Sequence, residues 1–355
     1  MTREWADKIF NVEETGFDAL ALEIFRFQYE NNSLYKAYAD LLGADPAQVK
    51  SISAIPFLPI SFFKTHPVKT TEFEPEIVFE SSGTSSTVNS HHLVKQTDLY
   101  RQSFLKSFEI FYGDLTGWCI IGLLPSYLER KNSSLVFMVD EWIRKSGHPQ
   151  SGFYLTEFDQ LQRVLSLLES QQQKTLLIGV SYALLDFAES FPIKLKNTVV
   201  METGGMKGRR EELIKKELHE ILKSKFQADA IHSEYGMTEL LSQAYSNGQG
   251  IFRCPPWMKV VVRDEEDPRQ VISAEELRAR FTHLASRIPH PASRNAHPAS
   301  RITDRGIINV IDLANIYSCS FIATDDAGKL NQDGSFELLG RVDNSDIRGC
   351  SLMVG

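Results

Sequence analysis

Cysteine is scarce in this chain. The 355 residues hold four, Cys119, Cys254, Cys319 and Cys350, far apart and with no CxxC pair among them. That pattern argues against a zinc site or a disulfide framework and fits a reducing, cytoplasmic setting. No window approaches the roughly 20 apolar residues that span a bilayer. The opening MTREWADKIFNVEE is too charged to read as a signal peptide. Positive charge is not in excess either: the net charge is −8 and the pI about 5.7, which excludes a general nucleic-acid binder. The lysine-bearing phosphate loop, G-x-x-x-x-G-K-S/T, is missing. What remains is an ordinary globular composition, 42% hydrophobic and 24% charged, long enough for one large domain or two moderate ones.

In chain order, the spacing of Phe17, Leu20, Ile24, Phe27, Leu34, Tyr38 and Leu41 predicts an amphipathic helix over 17–42, with one polar turn near Asn31. Ile55–Ile60, followed by Phe62 and Phe63, is apolar but carries two prolines, so it reads as an extended packed segment and not a central strand. Core packing suits it better than a ligand-site wall. A helix is expected over 97–111 with Thr97 as N-cap. Strands are expected at 118–124, 152–155, 175–180, 198–201 and 228–232, alternating with helices at 134–145, 157–171, 181–189 and 207–223. This alternation predicts an α/β fold with a largely parallel sheet covered by helices. Ligands in such folds lie beyond the carboxyl ends of the strands.

Further strands are expected at 258–262, 306–312 and 335–339, with Asp333-Gly334 as a hairpin turn. Residues 283–303 form three copies of a seven-residue repeat, HLASRIP, HPASRNA and HPASRIT. Its prolines forbid a continuous helix, and a tolerated surface insertion is the plain reading.

Three loops carry candidate chemistry. Glu80–Thr87 is almost wholly Ser, Thr and Gly, so its hydroxyls and the freedom of Gly83 suit a cradle for phosphate oxygens. The same composition suits a flexible linker. Glu202–Gly208 contains the pair Gly204-Gly205, which permits close backbone approach or simply turns a strand into a helix. Ser233–Glu239 offers an aromatic ring, a hydroxyl and two carboxylates, or else a helix N-terminus with Thr238 and Glu239 in its first turn.

The order SSGTSST, TGG, EYGMTE, TDDAG, GRVDNSDIRG resembles the adenylate-forming enzymes: acyl- and aryl-CoA ligases, peptide-synthetase adenylation domains and luciferases. Within them it is most similar to LuxE-type acyl-protein synthetases, through its length, the IPFLPISFFK segment and the RGC near its end. The resemblance covers roughly residues 50–350. It implies the large-domain fold of that superfamily over 1–339, with the repeat inserted at 283–303. Residues 340–355 would be a hinge motif and tail, and the small C-terminal domain with its catalytic lysine would be absent.

The resemblance also implies roles. Ser82, Gly83, Thr84 and Ser85 would hold the phosphates of ATP without the usual closing lysine. Gly204 and Gly205 would run along the adenine and Tyr235 would stack on it. Thr238 would sit near the α-phosphate, and Glu239 would bind Mg2+. Asp326 would accept hydrogen bonds from the ribose, although Asp325 replaces the preceding glycine of the family motif. Arg341 and Asp343 would form the hinge. The implied reaction is attack of a carboxylate, from a fatty or other carboxylic acid, on the α-phosphorus of ATP, followed by capture of the acyl-adenylate by a thiol. Cys350 is the implied acceptor, and the nearby Arg348 would favour its thiolate. On its own a lone cysteine also reads as a small buried hydrophobe. Acyl transfer to CoA or a carrier-protein thiol, or a non-catalytic subunit of an acyl-processing complex, are the alternative readings. An acyl reductase, an acyltransferase or an acyl carrier protein are the implied partners.

Overall fold

The computed structural model describes residues 2–81, 88–124, 132–155, 157–204, 213–265, 267, 269–285 and 304–341. The helices are α1 (Thr2–Phe10), α2 (Phe17–Asn31), α3 (Ser33–Leu41), α4 (Phe62–Thr65), α5 (Thr97–Tyr112), α6 (Ser134–Ser146), α7 (Phe158–Ser170), α8 (Ser181–Ser190), α9 (Lys215–Phe226) and α10 (Ala274–Ala285). The strands are β1 (Leu58–Pro59), β2 (Ile77–Glu80), β3 (His91–Val94), β4 (Cys119–Leu123), β5 (Gly152–Phe153), β6 (Thr175–Gly179), β7 (Thr198–Thr203), β8 (Ile231–Tyr235), β9 (Ala244–Ser246) and β10 (Ile251–Arg253). They continue as β11 (Met258–Arg263), β12 (Val271–Ile272), β13 (Arg305–Asp312), β14 (Phe321–Leu330) and β15 (Phe336–Arg341).

One large mixed sheet runs in the order β12-β11-β13-β14-β15-β10-β9-β8-β7-β6-β4-β5, with β1 beside β14, and β2 and β3 form a separate hairpin. The half from β5 to β8 is parallel, as the alternating pattern predicts. Its central strands, CIIGL and TLLIG, are buried at every position, as strands covered on both faces must be. From β8 onward the pairing is antiparallel. Residues 236–243 contain no helix, so the chain leaving β8 can only fold back alongside it.

Two expectations need correction here. The helix expected over 17–42 is two helices, because Asn32 has extended backbone and caps α3, accepting from the Tyr35 N–H at 3.0 Å. The Asn32 amide donates to the Ser318 carbonyl at 3.1 Å, and Gln28 donates to the Ile316 carbonyl at 2.9 Å. Both bonds fasten the N-terminal helices to the turn after β13. Thr97 is the first residue of α5 and not its cap; its hydroxyl accepts from Arg101 at 2.7 Å. The Pro-containing segment does pack into the core. Ile55, Phe57, Leu58 and Ile60 are buried, and Leu58 pairs in parallel with Ile322. Each such side chain contributes about 1.5–3 kcal/mol by leaving water. Of the repeat, only 283–285 fall among the described residues, at the end of α10.

Asp312, fully buried at the end of β13, ties these parts together. Its carboxylate accepts from the Leu241 N–H at 2.7 Å, the Ser242 N–H at 3.0 Å, the Ser242 hydroxyl at 2.6 Å and the Ala314 N–H at 3.1 Å. Replacing Asp312 by Ala strips four donors of their acceptor. A urea titration should show a loss of about 2–4 kcal/mol with an unchanged m-value.

Candidate nucleotide and acyl-activation site

The carboxyl ends of β7 and β8 lie side by side, with Glu202 opposite Ser233 and Thr203 opposite Glu234. Alternation along the strands sends Glu202, Ser233 and Tyr235 to one face and Thr203 and Glu234 to the other. Gly204 follows β7 with φ of 45°, a left-handed turn that glycine takes without strain. Tyr235 is the last residue of β8, so Ser233, Glu234 and Tyr235 are strand residues and not part of a loop. Thr238 and Glu239 lie in a turn closed by the Leu240 N–H on the Met237 carbonyl at 3.1 Å, and no helix begins there.

Four of the residues singled out from the sequence converge beyond these strands. The Tyr235 hydroxyl donates to Asp326 Oδ2 at 2.9 Å, and Arg341 Nε lies 3.7 Å from Asp326 Oδ1. The edges of Phe252 and Phe336 brace the Tyr235 ring at 6.1 and 5.5 Å between centroids. Burial raises the pKa of Asp326, while the Tyr235 hydroxyl and Arg341 pull it back. Asp325 and Asp326 both lie within β14, so the altered family motif is strand at this point. Glu239 is the fourth. It is buried, which raises its pKa against a hydrogen bond from Ser90 and the positive charges of Arg341 and Lys64. Ser82, Gly83, Thr84, Ser85, Gly205, Asp343, Arg348 and Cys350 lie outside the described residues.

The stem of the Ser/Thr/Gly loop is described, and it points to the same place. β2 and β3 pair antiparallel from Ile77↔Val94 to Glu80↔His91. Beyond them the Ser81 N–H donates to the Ser90 carbonyl at 3.1 Å, and the Ser90 N–H donates to Ser81 Oγ at 2.8 Å. The loop therefore springs from a tied hairpin end whose Ser90 touches Glu239.

Sequence reasoning missed Ser90, His92, Asn315 and Lys64. Lys64 ends the apolar IPFLPISFFK segment, whose run of large side chains masks a single exposed cation. The signal was its place: the parallel β1–β14 pairing and the Ile60 N–H on the Ala323 carbonyl at 2.9 Å set this segment beside the strand that carries Asp326. Behind the site, Glu202 is buried and meets Lys215 Nζ at 2.7 Å, His219 Nε2 at 3.4 Å and the Ser181 hydroxyl at 3.4 Å. Burial would raise its pKa, but His219, Lys215 and Ser233 outweigh that and hold it at about 2. Glu234, on the opposite face, is pushed up to about 7 by burial and by the charge of Glu202, against the Thr203 hydroxyl and the charge of Lys215. A Cβ on Gly236 would meet Glu234 Oε1, so a larger residue there would displace that carboxylate.

No three His, Cys, Asp or Glu side chains converge as metal ligands among the described residues. A lone Glu239 fits a magnesium ion that draws its other ligands from phosphate oxygens and water. No helix among the described residues is long and apolar enough to cross a membrane.

The raised Glu234 pKa sets a pH dependence. A carboxyl at about 7 when folded and 4.5 ordinarily favours folding below 4.5, and that contribution is lost as pH rises through 7. Glu234→Gln should flatten the fall in unfolding free energy between pH 4.5 and 7.5 by on the order of 3 kcal/mol, read by denaturant titration at each pH.

No protein-family model matches the chain, and no curated protein does. Solved structures do. An open conformation of 2-hydroxyisobutyryl-CoA ligase in complex with 2-HIB-AMP and CoA superposes with a TM-score of 0.61 at 11% identity, over 93% of this chain and 70% of that one. ATP-bound MatB from Rhodopseudomonas palustris superposes with a TM-score of 0.51 at 15% identity, over 77% of this chain and 50% of that one. An ATP-bound RpMatB-BxBclM chimera gives a TM-score of 0.51 at 15% identity, over 77% and 49%. This chain thus spans about half the length of MatB. Its mixed sheet with flanking helices is the fold of the adenylate-forming enzymes.

Proposed function

We propose that this chain is an ATP-dependent ligase that activates a carboxylic acid as its acyl-adenylate and passes the acyl group to a thiol. One observation carries the reading: Tyr235, Asp326 and Arg341 close on one another beside Glu239, beyond the ends of β7 and β8. An aromatic ring, a carboxylate for ribose hydroxyls and a cation for phosphate are the chemistry that a nucleotide needs. They lie where ligands of such sheets bind. The fold shared with ligases solved with ATP or an acyl-adenylate supports the same reading.

In the first step a substrate carboxylate oxygen attacks the α-phosphorus, a P–O bond to that oxygen forms, and pyrophosphate leaves with the electrons of the broken bond. Both reactants are anionic, so the protein must offset charge and align them. Arg341 and Lys64 supply fixed positive charge, and Thr238 a hydroxyl, at this point. Mg2+ held through Glu239 adds charge neutralisation when bound. In the second step a thiolate attacks the acyl carbonyl and AMP leaves. Cys350, two residues from Arg348 in sequence, is the acceptor that we assign from the sequence, giving an acyl-protein thioester of a fatty acid as in LuxE-type enzymes. Residues 1–339 would form the activating domain and 340–355 the hinge and tail.

The test is incubation with ATP, Mg2+ and radiolabelled fatty acids of several lengths. Pyrophosphate exchange and hydroxylamine-sensitive label on the chain, lost in Cys350→Ala, are expected. Exchange with label passing only to added CoA would redirect the second step, and no exchange with any carboxylic acid would overturn the first. Lys64→Ala should slow exchange about 100-fold, the lower end of the cost of removing one preorganised charge-stabilising donor. Its stability should stay within about 0.5 kcal/mol of wild type, since the side chain is exposed.

A further inference from the structure

Behind the Thr238–Glu239 turn lies a side-chain pair with no part in the chemistry above. His92 on β3 is buried, and each ring nitrogen faces an acceptor oxygen; burial lowers its pKa to about 4, so the ring is neutral and its one N–H serves one of the two oxygens. Nδ1 lies 2.8 Å from the Thr238 carbonyl oxygen and Nε2 lies 2.9 Å from Asn315 Oδ1. The orientation of Asn315 is fixed, because its Nδ2 donates to the Glu239 carbonyl at 2.8 Å and to the Cys319 carbonyl at 2.9 Å. Turning that amide would set its oxygen against two carbonyl oxygens. Each peptide carbonyl of the Thr238-Glu239 dipeptide is thus held by one member of the pair. Phe63 on α4 presses edge-on against the His92 ring at 5.8 Å, which stops the ring from turning away.

We propose that His92 and Asn315 are positioning residues for acyl-adenylate formation: they hold the Thr238-Glu239 backbone so that the Thr238 hydroxyl and Glu239 carboxylate meet the α-phosphate and its metal. The proposal rests on the adenylation reading of the same site. The proposal assigns the ring proton to Nδ1, donating to the Thr238 carbonyl, and the pair acts through the turn without touching substrate. Tyr235, Asp326 and Arg341 hold the adenosine end independently, so loosening the turn should leave nucleotide affinity nearly intact and slow the chemical step. A displacement of about 1 Å in a positioned group can cost about 100-fold in rate.

Two amide substitutions separate this role from simple packing. The amide of Asn can stand where Nδ1 stands, and that of Gln reaches the position of Nε2. Pyrophosphate exchange would be measured with a panel of carboxylic acids at saturating and at limiting ATP. His92→Asn should keep the rate within about threefold of wild type, whereas His92→Gln and His92→Phe should lose about 10–100-fold. The ATP KM of each should stay within about threefold, the split expected when an interaction of the transition state alone is removed. Equal rates for the Asn and Gln variants, or losses that fall on KM, would overturn the positioning role while leaving adenylation intact. If His92→Phe fails to fold, the Asn and Gln pair decides alone. A wild-type chain that exchanges pyrophosphate with none of the acids overturns the adenylation reading and this inference together.

Discussion

A single buried carboxylate sets the geometry on which the candidate site depends. Asp312 takes two backbone N–H groups and a hydroxyl from Leu241 and Ser242, and a third N–H from Ala314. It therefore fixes the chain just after Glu239 and the turn that presents Asn315. Burial pushes its pKa up to about 6, against the four hydrogen bonds that favour the charged form. The antiparallel half of the sheet, which carries Asp312, Asp326 and Arg341, is in this way coupled to the parallel half, which carries Gly204 and Tyr235.

The two halves contribute different things. The parallel strands supply a dry, rigid floor, because β4 and β6 are buried throughout. At the ends of β7 and β8 stand Thr203, Gly204 and Tyr235. The antiparallel strands and the β2–β3 hairpin then deliver charge over those ends: Asp326 and Arg341 from neighbouring strands, and Ser90 from the hairpin. A fully parallel sheet would leave its last strand with an open edge at this point. Reversal at β8 fills that edge with residues that meet Tyr235.

Much of this organisation was legible in the sequence. Runs such as Thr175–Gly179 and Ser134–Ser146 have the length and period that mark a buried strand and an amphipathic helix, and they form close to where expected. Tyr235, Asp326, Arg341 and Glu239 were singled out because they stand in ordered motifs, and the structure brings them together. The failures share a physical cause. Asn32 breaks a helix, and His92 and Asn315 hold the 238–239 turn, through partners far away in sequence, which no local period records. Tyr235 was assigned to a loop because Ser233 and Glu234 are polar. They are nevertheless strand residues, because Ser233 meets His219 and Glu234 meets Thr203 inside the protein.

The docking of the N-terminal helices has a consequence for synthesis. Gln28 bonds the Asn315 carbonyl across 287 residues, and Leu58 finds its strand partner only at Ile322. At about 5–20 residues per second on the ribosome, these groups wait roughly 15 seconds to a minute for their partners to emerge. During that interval Leu58 lacks the strand that it pairs with in the folded chain. The apolar 55–60 segment thus waits for β14 to be made, and Lys64 is anchored beside that strand only afterwards.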